Sequence, residues 1–289
     1  MDEWLDLGDF IDKSDELIEL GLYDDALALL NRYMHIYGNE WELFVLYARI
    51  YTDQNRPLEA IPYLKKGLQL NKFNPDCLLG LFYAYSMLHH VKYGSRYLIR
   101  AQKYHPGNES VITALIWYYT EINEPGKAVI YFEKLQQKGT TNPEAFKNGA
   151  LAYQRSGRYD NAEHCYKIAL ELNPAYDEVR DMLADLYLFL EQEKKAIEMY
   201  LDALQESPRN IRFLSRLVYC HTQVDQFKQA ASIAEEAIRL YPNSPIGYVD
   251  LAYVHLNNNR PKAAIEYADR AHDVSPLDAE AFKIGRAHV

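Results

Sequence analysis

Residues 142–174 read NPEAFKNGALAYQRSGRYDNAEHCYKIALELNP. Two amphipathic runs are split by SGRYDN and closed by LNP. The closing proline recurs: Pro174, Pro208, Pro242 and Pro276 are each 34 residues apart, and Pro106 lies two such intervals earlier. A fixed interval of this size marks a repeat array.

With a period of 34, blocks begin at residues 7, 41, 75, 109, 143, 177, 211 and 245, and all eight align without insertion or deletion. Numbered within each block, position 20 is Ala26, Ala60, Gly94, Ala128, Ala162, Ala196, Ala230 and Ala264. Position 8 is mostly small, with Phe82, Ile116 and Val218 as the larger members. Positions 4, 7, 8 and 11 share one face of a helix, as do 20, 24, 27 and 28. Two helices that cross closely leave room only for a small side chain at the crossing, which accounts for Ala or Gly at position 20. Pro57, Pro125 and Pro261 stand at position 17, where a helix tolerates proline because its first N–H groups lack partners. Proline at position 32 lies just past the second helix and stops it, so each recurring proline ends one helical hairpin. Pro62 falls inside a second helix, where a kink is expected.

The columns closely resemble the tetratricopeptide repeat. In the block from 143 the matching residues are Phe146, Tyr153, Tyr159, Ala162, Tyr166, Ala169 and Pro174, with Gly149 as a departure. The resemblance implies an all-α fold, a right-handed superhelical solenoid of eight antiparallel helix hairpins. Residues 1–6 then read as a leader, 7–278 as the array, and 279–282 (AEAF) as the start of a truncated ninth copy. Arg286 would put a charge at the tight crossing, so residues 283–289 read as a non-native tail. The first copy departs most, with Lys13, Ser14, Tyr33 and Gly38 where Leu, Ala, Ala and Pro are expected, as in a polar capping repeat.

Composition narrows the function. Hydrophobic residues make up 48%, too many for a disordered chain. No apolar run is long enough to span a membrane, and the acidic start MDEWLDLGDF lacks the pattern of a secretory signal. Cys77, Cys165 and Cys220 are widely spaced and form no CxxC, which suits free thiols and a cytoplasmic location. Net charge is −10, and residues 1–40 hold 11 acidic side chains against Lys13 and Arg32. That polarity argues against general nucleic-acid binding. No phosphate loop, dinucleotide fingerprint, nucleophile elbow or zinc-protease motif is present, so neither catalysis nor a cofactor is expected. Adjacent His89 and His90 have no further ligand at metal spacing, and His221 and His255 occupy the Tyr column at position 11, where core packing with one satisfied hydrogen bond is expected.

In the resembled family the first helices line a concave groove through positions 2, 5, 9 and 12. Carried onto this chain, Tyr83 and Trp117 become aromatic anchors flanked by Leu79 and Thr113, with Thr120, Lys147, Asn148, Leu151, Arg212, Arg216, Tyr219 and Tyr253 around them. Such a groove implies a peptide or protein ligand. The Lys/Asn/Arg carboxylate clamp of some members fails here at both asparagines, leaving Lys147, Arg212 and Arg216 as cations for an acidic tail. On the back, Lys92, Arg96, Arg100 and Lys103 form a helical stripe opposed in its copy by Asp76 alone. The first expectation is therefore a non-catalytic adaptor. The alternatives are the substrate-selecting region of a longer enzyme or signalling protein, and an assembly factor working through its back.

Overall fold

The computed structural model describes residues 5–275, which contain sixteen α-helices and no strand. The expected ninth copy and the tail from 283 lie outside the described residues. The chain divides into two compact units, residues 1–158 and 159–289, with the boundary inside the fifth block. The first unit holds α1 (Leu7–Glu19), α2 (Tyr23–Tyr37), α3 (Trp41–Asp53), α4 (Pro57–Leu70), α5 (Pro75–Met87), α6 (Val91–Tyr104), α7 (Glu109–Glu121), α8 (Pro125–Gln137) and α9 (Pro143–Arg155). The second holds α10 (Tyr159–Leu172), α11 (Asp177–Phe189), α12 (Glu193–Glu206), α13 (Ile211–Gln223), α14 (Phe227–Leu240), α15 (Ile246–Asn257) and α16 (Pro261–Val274).

Every second helix, from α2 to α16, begins at position 17 of its block, and the first helices begin at position 1 except α15, which begins one residue later. Within each unit consecutive helices pack together, and the first helices also lie side by side: α1 on α3, α3 on α5, α5 on α7 and α7 on α9, then α11 on α13 and α13 on α15. All residues at positions 8 and 20 are buried. Ala48 and Ala60 share one apolar cluster with Leu64, Leu81 and Ala84. At position 20 of the third copy, a Cβ on Gly94 would meet the Phe82 carbonyl oxygen at 2.9 Å. The two helix backbones therefore approach closely where glycine stands. The departure at Gly149 has a similar cause, since a Cβ there would lie 2.6 Å from the Phe132 ring.

The hairpin turn follows one rule throughout. Position 15 is left-handed in every copy: Gly21, Asn55, His89, Asn123, Gly157, Glu191, Asp225 and Asn259 have φ between 55° and 72°. The next residue donates its N–H to the carbonyl of position 11 in each case, as Arg56 does to Tyr51 at 2.7 Å and Arg260 to His255 at 2.8 Å. This is the Schellman closure, which satisfies a carbonyl the helix end would leave open. His89 is therefore a turn residue. Four of the eight first helices are started by asparagine: the side chains of Asn74, Asn108, Asn142 and Asn210 accept from N–H groups of the first turn. Helix α4 runs through Pro62 from Pro57 to Leu70.

The first copy has the exposed charge a cap requires. Position 3 is buried in every other copy, as Leu43, Cys77, Val111, Ala145, Val179, Phe213 and Gly247, but is exposed Asp9 in the first. Ser14 is fully buried, and its hydroxyl donates to the Phe10 carbonyl at 2.7 Å. Tyr33 and Tyr37 hold the backbone of Leu5 from both sides, with the Leu5 N–H donating to Tyr33 at 2.9 Å and Tyr37 donating to the Leu5 carbonyl at 2.8 Å.

Candidate functional site

In the first unit, α5, α7 and α9 bring the expected anchors onto one face. Tyr83 is 41% exposed. Trp117 is half-buried, its ring set edge-on to Phe82 at 5.6 Å, while Tyr83 lies 5.2 Å from the same ring. Phe82 is fully buried in a cluster with Leu78, Leu79 and Leu98, so both anchors stand on a rigid base. Burial pushes the Tyr83 phenol up to about 12, with Glu144 reinforcing and Lys147 opposing the shift. Leu151 is half-buried on α9.

Other residues expected in the groove are not at the surface. Leu79, Thr113, Thr120 and Asn148 are all buried. Thr120 donates its hydroxyl to the Ile116 carbonyl at 2.8 Å, a bond within its own helix. Asn148 donates to Glu144 at 3.3 Å. Thr113 has a hydroxyl with no hydrogen-bond partner. These four side chains are packed among their neighbours in this structure. Lys147 is largely covered, with its ammonium 3.0 Å from Glu144.

In the second unit, Asp181 gathers the cations assigned to an acidic tail. Arg212 meets Asp181 at 2.6 Å and Asp177 at 3.2 Å, and Arg216 meets Asp181 at 3.1 Å. Tyr200 also donates to Asp181. The attraction of these arginines for an incoming carboxylate is thus already answered by the chain itself. Sequence reasoning missed Asp177 and Asp181; their spacing from Arg212 and Arg216, one period or nearly so, was the available signal. Tyr219 and Tyr253 are half-buried and stack at 6.2 Å, and Gln223 donates to the Tyr253 hydroxyl at 2.7 Å.

Two further expectations resolve differently. His221 has its hydrogen bond, 2.7 Å to Gln226. His255 does not: its Nδ1 is buried without a partner, its ring stacks on Tyr267 at 5.3 Å, and burial holds its pKa below the usual value. The same ring pairing joins positions 11 and 23 as Tyr51–Tyr63, Tyr85–Tyr97 and Tyr119–Tyr131. All three cysteines are buried, and burial pushes each thiol up to about 12, which removes their nucleophilic character at neutral pH.

On the back of the first unit, Lys92, Arg96 and Lys103 are exposed and Arg100 is half-buried. The Arg96 guanidinium lies 3.7 Å over the Tyr93 ring. Arg100 donates to the Lys72 carbonyl at 2.7 Å and sits 5.4 Å over Phe73. Among the described residues, no ion pair joins these four cations to a carboxylate. Nor does any group of three His, Cys, Asp or Glu side chains stand at metal-holding distance, and no helix is long and apolar enough to cross a membrane.

Comparison with known proteins agrees with the helical pairing. Residues 115–249 match the family model described as Psidin, N-terminal TPR repeats region, and residues 42–74 and 223–279 match models described as tetratricopeptide repeat. The chain is 27% identical over 124 residues to the phagocyte signaling-impaired protein of Drosophila pseudoobscura pseudoobscura, covering 43% of this chain and 13% of that protein. It is 26% identical over 164 residues to the BBSome complex member BBS4 of Mus musculus, covering 56% of this chain and 31% of that protein. The chain therefore spans less than a third of either relative. In fold it is similar to the crystal structure of the APC/C hetero-tetramer Cut9-Hcn1, with a TM-score of 0.62 at 13% identity over 96% of this chain and 55% of the other.

Proposed function

The chain belongs to the tetratricopeptide repeat family, and we propose from this that it is a non-catalytic adaptor, whose eight copies over residues 7–278 present their first helices to an extended protein segment. The observation that carries the reading is the aromatic pair on the first unit. Tyr83 and Trp117 present ring surface around buried Phe82, with the neighbouring Lys147 charge held by Glu144. Rigid aromatic anchors on a packed base give large contact area at small entropic cost. With the nearby cation neutralised, the favoured ligand is apolar rather than acidic. Tyr219 and Tyr253 on the second unit offer a second contact of the same kind. A cytoplasmic setting fits three buried, unpaired thiols.

Panning the chain against a library of random linear peptides tests this, followed by calorimetry of the enriched peptides. Apolar and aromatic sequences are expected, bound at least about tenfold more weakly by Trp117→Ala, a loss typical of a hot-spot residue. Arg96→Glu should bind them like the parent. Peptides whose affinity is untouched by both Trp117→Ala and Tyr83→Ala would refute the assignment of the face.

A further inference from the structure

The stretch from residue 60 to 108 carries Lys65, Lys66, Lys72, Lys92, Arg96, Arg100 and Lys103 against the single acid Asp76, in a chain whose net charge is −10. Four of these cations follow one line along α6, at spacings of four, four and three residues. Successive helical residues turn about 100°, so the four lie within an arc of about 80° and over about 16 Å of helix. Among the described residues none of the four is ion-paired with a carboxylate, and their positive field is felt locally: Arg96 draws the Tyr93 phenol below its ordinary pKa. Between the charges stand exposed apolar surfaces, with Tyr93 45%, Ile99 54% and Tyr104 44% accessible.

A matching line runs along α1. Asp9, Asp12, Glu16 and Glu19 are all exposed, at spacings of three, four and three, which also places them within an arc of about 80° over about 15 Å. Their existing partners are weak ones: Glu16 meets exposed Lys13 at 2.6 Å, and Glu19 meets Arg49 at 3.7 Å. Asp9, Asp12 and Glu16 occupy positions 3, 6 and 10. In the second copy these positions are the buried Leu43, Leu46 and Ile50. The acidic line thus replaces the apolar face on which another repeat would stack. It excludes an apolar neighbour and leaves a charged one.

We propose that the α6 stripe of one chain docks the α1 stripe of a second copy. The two stripes are opposite in sign and match in number, length and arc, and the ion pairs they make, Glu16 to Lys13 and Glu19 to Arg49, are exposed ones. Because each chain carries both stripes, two copies pair through them either reciprocally or head-to-tail, and association rises with concentration. Attraction between exposed charges is screened by salt, with a Debye length of about 10 Å at 0.1 M. The stacked Arg96–Tyr93 pair holds one guanidinium in place before contact.

Sedimentation velocity of the full chain over a range of concentrations provides the test, at ~0.01 M salt and again at ~1 M, where the Debye length falls from about 30 to about 3 Å. Association is expected at low salt and its loss at high salt. Arg96→Glu/Arg100→Glu and Asp12→Lys/Glu16→Lys should each be monomeric, and an equimolar mixture of the two should associate again. Arg96, Asp12 and Glu16 are exposed and Arg100 is half-buried, so circular dichroism melting is the check that both variants fold. Monomers throughout at low salt would overturn the proposal. So would association that survives either variant, or a mixture that fails to recover. A labelled RNA oligonucleotide serves as the competing polyanion. If it binds the stripe while the chain stays monomeric, the occupant is not a second copy. None of these outcomes depends on the peptide-binding result at Trp117.

Discussion

Gly94 shows how one residue answers another across a helix crossing. A Cβ at Gly94 would press on the Phe82 carbonyl oxygen and the Tyr85 Cβ of the facing helix, and glycine leaves that close backbone approach open. Thr113 shows the reverse case, a polar group in a niche shaped for a hydrocarbon. Its hydroxyl is buried and unpartnered, although the residue sits between well-packed Ile112 and Ala114. An unsatisfied buried hydroxyl costs free energy that an isosteric methyl does not. Thr113→Val is expected to raise stability by about 1 kcal/mol in urea titration and to leave peptide affinity unchanged. A clear loss of affinity with stability unchanged would mean that the hydroxyl faces a ligand.

At the scale of the helix and its turn, position 15 sets the hairpin. Glycine fits the left-handed conformation freely, and asparagine and aspartate bear it well, but Glu191 holds it at φ 55° with an ordinary side chain. Glu191→Gly should therefore stabilise the second unit by up to about 1 kcal/mol, the usual penalty of a left-handed non-glycine residue. A lower melting temperature would show that the glutamate side chain makes a contact that outweighs its strain. Helix boundaries and the crossing at positions 8 and 20 were legible in the sequence because sterics repeat with the period. The left-handed turn was hidden because glycine, asparagine, histidine, glutamate and aspartate share the position and only their backbone is alike. The Tyr51–Tyr63 type of ring pair was equally present as a column at position 23, but its partner on the other helix is identified only by packing. Candidate site residues were the least legible. The period tells which side chains are equivalent, not how far the next helix covers them, so Thr120 and Asn148 read as groove residues and prove to be buried. Arg212 and Arg216 read as free cations because Asp177 and Asp181 stand on a different helix.

For the molecule as a whole, charge is distributed as unevenly as the apolar surface is regular. The acidic cap and the basic α6 stripe lie in the same unit, while the aromatic anchors stand on its first helices. The proposed peptide contact and the proposed contact with a second copy use different residues of that unit, and a variant at one is expected to spare the other. Stability has the opposite character. In each unit it is built from contacts between sequence neighbours, helix on next helix and copy on next copy, so damage at any copy should register in that unit.

The most direct measurement places glutamate at position 20 of each copy in turn, at Ala26, Ala60, Gly94, Ala128, Ala162, Ala196, Ala230 and Ala264, and reads the urea midpoint of each variant. Glutamate at exposed position 22, as in Ile130→Glu and Ser232→Glu, serves as the control. If every thirty-fourth residue occupies an equivalent closed niche, each of the eight should lose several kcal/mol through overpacking and an unpaired buried charge, and the controls should stay within about 0.5 kcal/mol of the parent. A position-20 variant that unfolds with the parent's midpoint would contradict the shared niche on which the whole account rests.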